Sequence, residues 1–482
     1  MSDNPVLVWF RRDLRLSDNP SLHSAIKRSI ETGTGVIPVF IYSPEEEGAW
    51  TPGEASNWWL HHSLLSLATR IEEKGSKLII RRGGAKQILF DLVKETGATS
   101  IFWNRLYESE IISRDTGIKD ALTKAGIEAK SFNGALLKEP WTFKNQSGKP
   151  FQVFTPFWRA LQKVLEIPET LPEPLDILHY NRTCSSLRVE ELSLLPKIKW
   201  DRKFYETWKP GEVNAQIELD KFLTSFVDDY GSARDIPSVR GTSRMSPSLH
   251  FGEISPGQIF SSVNRLKINA SSGVEHYLRE IGWREFAHHL LVHFPHTPLE
   301  PLRPNFKNFP WANDPKSLLA WQQGKTGYPI IDAGMRELWA TGWMHNRVRM
   351  IVSSFLVKDL LISWVDGAKW FWDTLVDASL ASNTLGWQWS GGCGADAAPF
   401  FRIFNPITQG EKFDSNGEYV RKWIPELSNL PNKFIHKPWE APDNILKSAG
   451  VTLGESYPLP IVDHSLARTR ALRAFDKVKA AN

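Results

Sequence analysis

VLVWFRRDLRLSDNPSLHSAIKRSIETGTGVIPVFIY, residues 6–42, places two short apolar runs on either side of a stretch with helical spacing. The runs, Val6 to Phe10 and Gly35 to Tyr42, are rich in β-branched and aromatic residues, and residues 20–32 have a helix-like pattern. Similar apolar runs follow at Lys77 to Arg81, Thr99 to Trp103 and Ile127 to Phe132, separated by helix-like stretches near 55–74, 85–96 and 109–126. Continuous apolar strands alternating with helices predict a doubly wound parallel sheet, an α/β domain that usually binds a ligand at the carboxyl ends of its strands.

The alternation of strands and helices ends after residue 133. Residues 134–205 mix Pro, polar residues and short apolar pieces, which is typical of a connector with little structure of its own. From about residue 206 long helical patterns dominate, at 212–229, 255–266, 273–294, 315–322, 328–341, 343–361 and 366–376. We therefore predict an α/β domain over 1–133, a connector over 134–205 and an all-α domain over 206–475.

The composition limits the class of protein. The chain has 482 residues, of which 41% are hydrophobic and 23% charged, so it is globular and too long for one core. Its net charge of +4 neither requires nor excludes a polyanionic partner. Two cysteines, Cys184 and Cys393, are too few for a disulfide framework, and no secretory signal or 18-residue apolar span occurs. We expect a cytoplasmic, monomeric protein that does not enter a membrane.

Residues 241–246, GTSRMS, combine three hydroxyl groups with one Arg ahead of a proline. Hydroxyls, backbone N–H groups and a guanidinium are the groups that bind a diphosphate, but Ser and Thr clusters are also typical of plain helix caps. Residues 392–397, GCGADA, match a dinucleotide-binding pattern formally but do not lie between a strand and a helix. No metal-ligand spacing is present, so we predict no metal site.

Three further segments carry polar and aromatic residues in unusual combinations. Tyr277, Glu280 and Arg284 fall on one face of a predicted helix beside Trp283, an arrangement that could hydrogen-bond and stack a flat base. A surface ion pair between Glu280 and Arg284 over a core Trp explains the same spacing. Asn346 and Met350 are one helical turn apart, which suits a binding surface better than a core. Small residues and closely spaced Trp in 377–389 and 397–406 indicate a backbone packed against a planar ligand.

Taken in order, the segments resemble the photolyase/cryptochrome flavoprotein family. The matching motifs run from residue 5 to about 465 and are WFRRDLRLSDNPSL, WWLHHSL, FTPFW, GTSRMSPSLHFGEIS, WREF, GKTGYPIIDAGMREL, TGWMHNRVRM, SFLVKDLLISW, NTLGWQW and DAAPFFRIFNPITQGEKFD. The resemblance implies an N-terminal antenna domain and a helical domain that holds a U-shaped FAD. It is most like bacterial enzymes that split cyclobutane pyrimidine dimers in DNA.

The resemblance also implies roles for individual residues. The FAD would be held by Tyr230, Thr242, Ser243, Arg244, Met245, Ser246, Trp343, Arg349, Asp377, Ser379 and Asn383, with Asn383 at flavin N5. Damaged DNA would contact Arg234, Glu280, Trp283, Asn346, Arg347, Met350, Trp389 and Gln409. Trp387, Trp364 and Trp311 would form the chain that photoreduces the flavin.

The implied reaction begins when the lesion is flipped into a pocket above the flavin. Excited FADH⁻ would donate one electron to the dimer, and the electron would return after the ring has split. Glu280 would hydrogen-bond the dimer and stabilise its radical anion.

Two positions depart from the family pattern. Ser379 stands where relatives often have an acidic residue two positions after Asp377, so one flavin contact is expected to differ. Ser109-Glu110 stands where folate-binding relatives often have Asn-Glu. The antenna chromophore therefore stays open between methenyltetrahydrofolate and a deazaflavin.

Two other functions within the family compete with dimer repair. A cryptochrome-type blue-light receptor typically has Asp or Cys where this chain has Asn383, and its signalling tail would exceed the 17 or so residues that follow the matching region. A (6-4) photolyase needs a His pair, whereas His345 is followed by Asn346. An iron–sulfur relative needs four Cys. The sequence favours dimer repair.

Overall fold

The computed structural model of the chain describes residues 4–166, 169–180, 184–266 and 271–480. A five-stranded parallel sheet has the order β3-β2-β1-β4-β5. Its strands are β1 (Val6–Phe10), β2 (Val36–Tyr42), β3 (Ile79–Arg82), β4 (Ser100–Asn104) and β5 (Glu128–Phe132). The predicted strands and their parallel pairing are confirmed, with boundaries that differ by at most two residues.

The first four α-helices pack against the sheet, and the others follow in the remainder of the chain, joined by loops and short helical turns. They are α1 (Pro20–Thr32), α2 (Glu54–Glu73), α3 (Ala85–Thr96), α4 (Ser109–Lys124), α5 (Phe154–Val164), α6 (Arg202–Thr207), α7 (Glu212–Ser225), α8 (Tyr230–Ala233), α9 (Ser246–His250), α10 (Pro256–Arg265), α11 (Ser272–His293), α12 (Pro315–Gln322), α13 (Pro329–Thr341), α14 (Asn346–Ser354), α15 (Trp364–Thr374), α16 (Leu380–Gly391), α17 (Pro406–Phe413), α18 (Glu418–Trp423), α19 (Asp443–Ala449) and α20 (His464–Ala480). None of the helices in the described ranges combines the length and apolarity that crossing a membrane requires.

Successive residues of β1 enter different cores because side chains alternate across a strand. Val6, Val8 and Phe10 pack in a cluster with residues of α1 and α2. Leu7 and Trp9 pack in a second cluster with residues of α3 and α4. Helices therefore cover both faces of the sheet, which explains why β1 is apolar at every position and confirms the doubly wound α/β domain.

The connector contains more structure than its composition indicates. Helix α5 lies within residues 134–205, and its residues Phe154, Phe157 and Leu161 are buried against Phe286 and Leu290 of α11. The prediction of limited structure is therefore wrong for 154–164. The apolar residues of this short segment meet their partners more than a hundred positions away, where local patterns do not reach. The domain boundaries at 133 and 205 stay a prediction.

The predicted helix over 343–361 is interrupted. Helix α14 begins at Asn346, and a π-helical turn follows at Phe355–Asp359. This turn carries two buried charged residues. Lys358 Nζ donates to the carbonyl of Arg402 at 2.8 Å, and Asp359 accepts from His464 Nδ1 at 2.6 Å. Burial of two charges requires such partners, which a regular pattern of apolar residues does not reveal.

Candidate functional site

A cavity with an empty volume of about 1060 Å³ lies where the sheet domain meets the helical domain. Such a volume suits a dinucleotide-sized ligand. Eight predicted site residues line it: Tyr230, Ser243, Met245, Ser246, Glu280, Arg349, Asp377 and Ser379. The structure therefore brings together residues that are up to 149 positions apart in the sequence.

Helix α11 presents one face to this cavity. Tyr277, Glu280 and Arg284 all line it, as their helical spacing predicts. Glu280 and Arg284 do not pair with each other, because Arg284 Nη1 instead donates to the carbonyl of Ala135 at 2.8 Å and contacts Glu285 at 3.2 Å. The alternative explanation, a surface ion pair between Glu280 and Arg284, is wrong.

The hydroxyl of Tyr277 is buried, and the nearby hydroxyl of Ser243 does not meet full hydrogen-bond geometry with it. Burial also raises the pKa of this phenol, so the group stays protonated and can donate. An unsatisfied buried hydroxyl costs free energy, which a bound polar ligand would recover. The cavity wall thus fits a ligand with hydrogen-bond acceptors.

The segment 241–246 reaches the cavity with three of its predicted residues, Ser243, Met245 and Ser246. Thr242 and Arg244 are absent from the cavity lining. Arg244 has a left-handed backbone, with a φ of 56°, and its guanidinium lies 5.0 Å from the ring centre of Trp343. It makes no ion pair within the described ranges. A guanidinium without a carboxylate partner can serve an anionic ligand.

Arg349 and Asp377 form an ion pair in the cavity wall. Arg349 Nη2 donates to both carboxylate oxygens of Asp377, at 3.1 and 2.9 Å, and Arg349 Nε donates to the carbonyl of Met344. Trp343 is buried beneath, with the Arg349 guanidinium 5.9 Å from its ring centre. Ser379, two positions after Asp377, lines the cavity with its short hydroxyl side chain.

Helix α16 begins at the cavity and leads into the core. Ser379 and Ser382 line the cavity, whereas Asn383 donates from Nδ2 to the carbonyl of Ala368 at 2.9 Å and is not part of the lining. Further along, Trp387 is only 2% exposed. Its ring centre lies 5.0 Å from that of Phe371 and 6.1 Å from that of Trp321. This helix therefore joins the cavity to a packed aromatic core.

The exposure of the three predicted electron-transfer residues rises in the predicted order. Trp387 and Trp364 are buried, at 2% and 3% exposure, and Trp311 is half-buried at the edge of the same core. Trp311 contacts Phe309, with ring centres 4.3 Å apart. The three residues therefore belong to one core, with Trp311 at its edge, and their role in electron transfer stays a prediction.

Of the predicted DNA contacts, Glu280 lines the cavity, and Arg234 is bonded to it. Arg234 Nη1 donates to Glu280 at 2.5 Å, and Asp235 accepts two hydrogen bonds from Arg347, at 3.3 and 2.8 Å. Trp283 stacks on Phe154 with ring centres 3.8 Å apart and an interplanar angle of 8°. The remaining residues are Asn346, which is exposed and 4.0 Å from the sulfur of Met350, and the half-buried Trp389 and Gln409.

The sheet domain contributes residues that the motifs did not identify. Arg12, which follows β1, and Leu106, Tyr107 and Glu108, which follow β4, also line the cavity. Arg12 and Glu108 form an ion pair at 2.5 Å. Burial favours the neutral form of Glu108, but the charge of Arg12 and the hydrogen bonds to the carboxylate together lower its pKa. Their position at the carboxyl ends of neighbouring strands is the signal that could have found them.

Two cavity-lining histidines are neutral near pH 7. Burial, together with the charge of Arg284, lowers the pKa of His288 to about 3. Burial, together with the charge of Arg12, lowers the pKa of His250 well below its usual value. Neutral imidazoles offer one donor and one acceptor, so the charges that line the cavity are those of carboxylates and guanidinium groups.

A second cavity, with an empty volume of about 710 Å³, lies at the carboxyl ends of β1 and β2. Trp9, Tyr42 and Trp372 supply aromatic walls, and Arg11 and Arg114 supply positive charge. Arg12, Leu106 and His250 line both cavities, so the two are direct neighbours. No group of three or more metal-ligating side chains occurs in the part of the chain that the structure describes.

Two family models match the chain. The FAD-binding domain of DNA photolyase matches residues 277–477, and the DNA photolyase domain matches residues 6–175. The first contains most of the helical cavity wall, and the second contains the whole sheet.

Individual relatives match over nearly the whole length. The chain is 49% identical to a deoxyribodipyrimidine photo-lyase of Agrobacterium fabrum over 477 residues, which is 98% of each chain. It is 41% identical to Cryptochrome-2 of Arabidopsis thaliana, covering 99% of this chain and 80% of that one. The crystal structure of a bacterial class III photolyase from Agrobacterium tumefaciens superposes with a TM-score of 0.95 at 48% identity, covering 100% of this chain and 98% of that one. The chain belongs to the photolyase/cryptochrome family, with its FAD-binding domain.

Proposed function

We propose that this protein repairs ultraviolet-damaged DNA by splitting cyclobutane pyrimidine dimers with light, with FAD as its cofactor. The observation that carries the proposal is the arrangement around Glu280. Its carboxylate lines the cavity between the two domains, which we propose to be the flavin cavity, and also pairs with Arg234. Trp283 lies about one helical turn further along α11. The similarity to deoxyribodipyrimidine photo-lyases supports the same reaction.

The cavity residues fit FAD. Ser243 and Ser246 would hold the diphosphate, and the Tyr277 hydroxyl would donate to a ligand acceptor. Arg244 stays a predicted phosphate contact, although it lies outside the cavity lining. Asn383 keeps its carbonyl oxygen available, because its amide N–H₂ is used by the Ala368 carbonyl. When bound, the reduced flavin supplies the photochemistry, one electron lent to the lesion under light and then recovered. Trp387, Trp364 and Trp311 would supply the electron that keeps the flavin reduced.

The protein's remaining task is to hold the lesion. A flipped dimer would enter beside Trp283, whose indole is fixed by the stack on Phe154. Asn346 and Met350 offer an amide and a thioether to the other side of a flat ligand. Glu280 would hydrogen-bond the dimer where negative charge develops, so its contribution should be larger to ring splitting than to binding. Arg347, Trp389 and Gln409 complete the predicted contacts.

The decisive test measures dimer loss and flavin content on one preparation. Acid extraction should release one FAD per chain. The chemically reduced protein should split the thymine dimers of an oligonucleotide back into thymines under blue light but not in the dark. A protein that binds FAD and leaves dimers intact would contradict repair. That outcome would favour the second candidate, a cryptochrome-type light receptor, which the similarity to Cryptochrome-2 supports. A (6-4) photolyase would also leave the thymine dimers intact, and it would instead repair a second oligonucleotide that carries a (6-4) photoproduct.

We also propose an antenna chromophore in the cavity at the ends of β1 and β2. Its aromatic walls suit a flat molecule such as methenyltetrahydrofolate or a deazaflavin, while Arg11 and Arg114 are paired with Asp115. Direct adjacency to the flavin cavity suits transfer of excitation energy. The absorption spectrum of the purified protein would distinguish the two pigments. A monomeric state and a cytoplasmic location stay predictions, which size-exclusion and fractionation experiments test.

A further inference from the structure

Two consecutive residues link the two helices that carry the predicted lesion contacts. Arg234, at the end of α8, pairs with Glu280 of α11 at 2.5 Å. Asp235 pairs with Arg347 of α14 at 2.8 Å. The cation Arg234 thus binds the carboxylate of α11, and the neighbouring anion Asp235 binds the guanidinium of α14. In the protein without DNA, these two ion pairs connect α11 to α14.

This arrangement conflicts with the roles proposed for Arg234 and Glu280. Both side chains are predicted to contact DNA, yet in this structure they form an ion pair with each other. In the ion pair with Arg234 the carboxylate of Glu280 accepts a hydrogen bond, and a carboxylate has no proton to donate. The carbonyl groups of a pyrimidine dimer can only accept. Glu280 in this state would repel the lesion's developing negative charge rather than stabilise it.

We propose that lesion binding exchanges the partner of Arg234: a phosphate of the lesion strand replaces the Glu280 carboxylate, and Glu280 takes up one proton from solvent. The protonated carboxyl group then donates a hydrogen bond to a dimer carbonyl. No other bond forms or breaks in this step. The exchange rests on the proposed function and goes beyond it, because binding of the phosphate by Arg234 becomes the event that allows Glu280 to be protonated.

The surroundings of the pair permit the exchange. The side chains of Arg234 and Glu280 are 20% and 30% exposed, so a phosphate can approach both. Ion pairs at such partly exposed positions are weak, whereas guanidinium–phosphate contacts can be bidentate. The guanidinium of Arg234 also lies 5.2 Å from the ring centre of Tyr230, which lines the cavity. This contact would keep the guanidinium beside the cavity after it leaves Glu280.

The charged groups near Glu280 come from several elements. Helix α8 and its end supply the charges of Arg234 and Asp235 and the neutral phenol of Tyr230, and α11 supplies the charge of Arg284 and the neutral phenol of Tyr277. The same cavity is lined by the Arg349–Asp377 pair of α14 and the segment before α16. Arg284 and Arg349 are already paired with carboxylates, and Asp235 with Arg347. Arg234 is therefore the cation whose departure changes the charge at Glu280.

The test measures proton uptake when pre-reduced protein binds an oligonucleotide that contains one thymine dimer, in the dark and in weakly buffered solution near pH 8. The wild type should take up about one proton per complex, and Glu280→Gln, which has the same shape and no acidic proton, should take up about one fewer. Equal uptake by the two proteins would overturn the exchange. Absence of uptake by a wild type that binds dimer DNA tightly would also overturn it.

A second measurement follows Arg234 itself. Arg234→Gln should reduce the dependence of log Kd on log salt by about 1, because one phosphate contact is lost. The matched control is Arg28→Gln on the sheet domain, which removes an exposed arginine paired with Glu128 and should leave the salt dependence unchanged. An unchanged dependence in Arg234→Gln would show that Arg234 stays on Glu280. If the wild type does not prefer dimer DNA over undamaged DNA, the proposed function itself fails, which is a separate outcome.

Discussion

Helices α11 and α16 pack against each other and both line the cavity between the two domains, yet they lead to regions of opposite chemistry. Helix α16 carries Trp387 into a core where its indole packs against the rings of Phe371 and Trp321 and against Gly367. Helix α11 carries Glu280 and Arg284, which depend on charged or polar partners. Close apolar packing fixes a ring permanently, whereas an ion pair holds a side chain only until a stronger partner arrives. The first region suits electron transfer over fixed distances, and the second suits substrate exchange.

The largest expected effect tests the fixed region. Trp387→Phe should abolish photoreduction of oxidised flavin, because phenylalanine cannot replace tryptophan as an electron donor. Repair by chemically pre-reduced protein should remain close to the wild-type level. Flash absorption spectroscopy measures the first property, and dimer loss measures the second. Trp321→Phe is the matched variant, since Trp321 contacts Trp387 but lies off the predicted route. If Trp321→Phe blocks photoreduction and Trp387→Phe does not, the electron enters by another path.

The next effect concerns the buried charge of α11. Burial raises the pKa of Glu285 to about 7, against the opposing effect of Arg284. The folded protein therefore binds more protons than the unfolded chain between about pH 4.5 and 7, and the free energy of unfolding should fall by about 3 kcal/mol as pH rises through this range. Denaturant titrations at pH 5 and pH 8 measure this change. Glu285→Gln should remove it, and parallel pH profiles for the two proteins would contradict the assignment.

Packing around Trp387 can be tested from a neighbouring helix. A Cβ added at Gly367 of α15 would meet a ring carbon of Trp387 at 2.1 Å. Gly367→Ala should therefore cost about 1–3 kcal/mol of stability through overpacking, and it should slow photoreduction by displacing the indole. Gly386→Ala in α16 is the control, because no atom lies within 4 Å of its added Cβ. The control should gain up to about 1 kcal/mol from helix propensity. Similar stability of both variants would show that the core around Trp387 is adaptable.

The smallest effect concerns the exchangeable region. Glu280→Ala should lower the quantum yield of repair several-fold, equivalent to about 1 kcal/mol, while affinity for damaged DNA falls less. Glu280→Gln should lose less yield, since its amide can still donate a hydrogen bond. Yield and affinity must be measured on the same preparations. A normal yield in Glu280→Ala would remove Glu280 from the reaction.

The predicted face of α11 illustrates how far the sequence reaches. The spacing of Tyr277, Glu280 and Arg284 put them on one side of a helix, and all three line the cavity. The partner of Glu280 could not be read from that spacing. Arg284 was the nearest candidate along the helix, but Arg234, which is 46 positions away, occupies the carboxylate instead. The spacing of residues determines on which face of a helix a side chain lies. The residue that it pairs with depends on which other element packs against that face.

Helix α16 shows the opposite case. Its sequence, LASNTLGWQWSG, contains Gly, Ser, Asn and Thr, which are weak helix formers, and no helix was predicted there. It is helical because α11 and α15 pack on it and because Gly367 lets the indole of Trp387 approach closely. Tertiary packing supplies most of the stability of such a helix. The same holds for α5, whose apolar face has its partners in α11.

By itself, the sequence determined the parallel sheet, the change to an all-helical region and the motifs of the family, because these depend on strand and helix periodicity and on residue identity. Only the tertiary structure decided that Arg12, Tyr107 and Glu108 of the sheet domain line the same cavity as the residues of the helical domain. It also decided that Arg234 and Asp235 join α11 to α14. Contacts between distant segments follow from how the domains pack, and a linear pattern carries no information about that geometry.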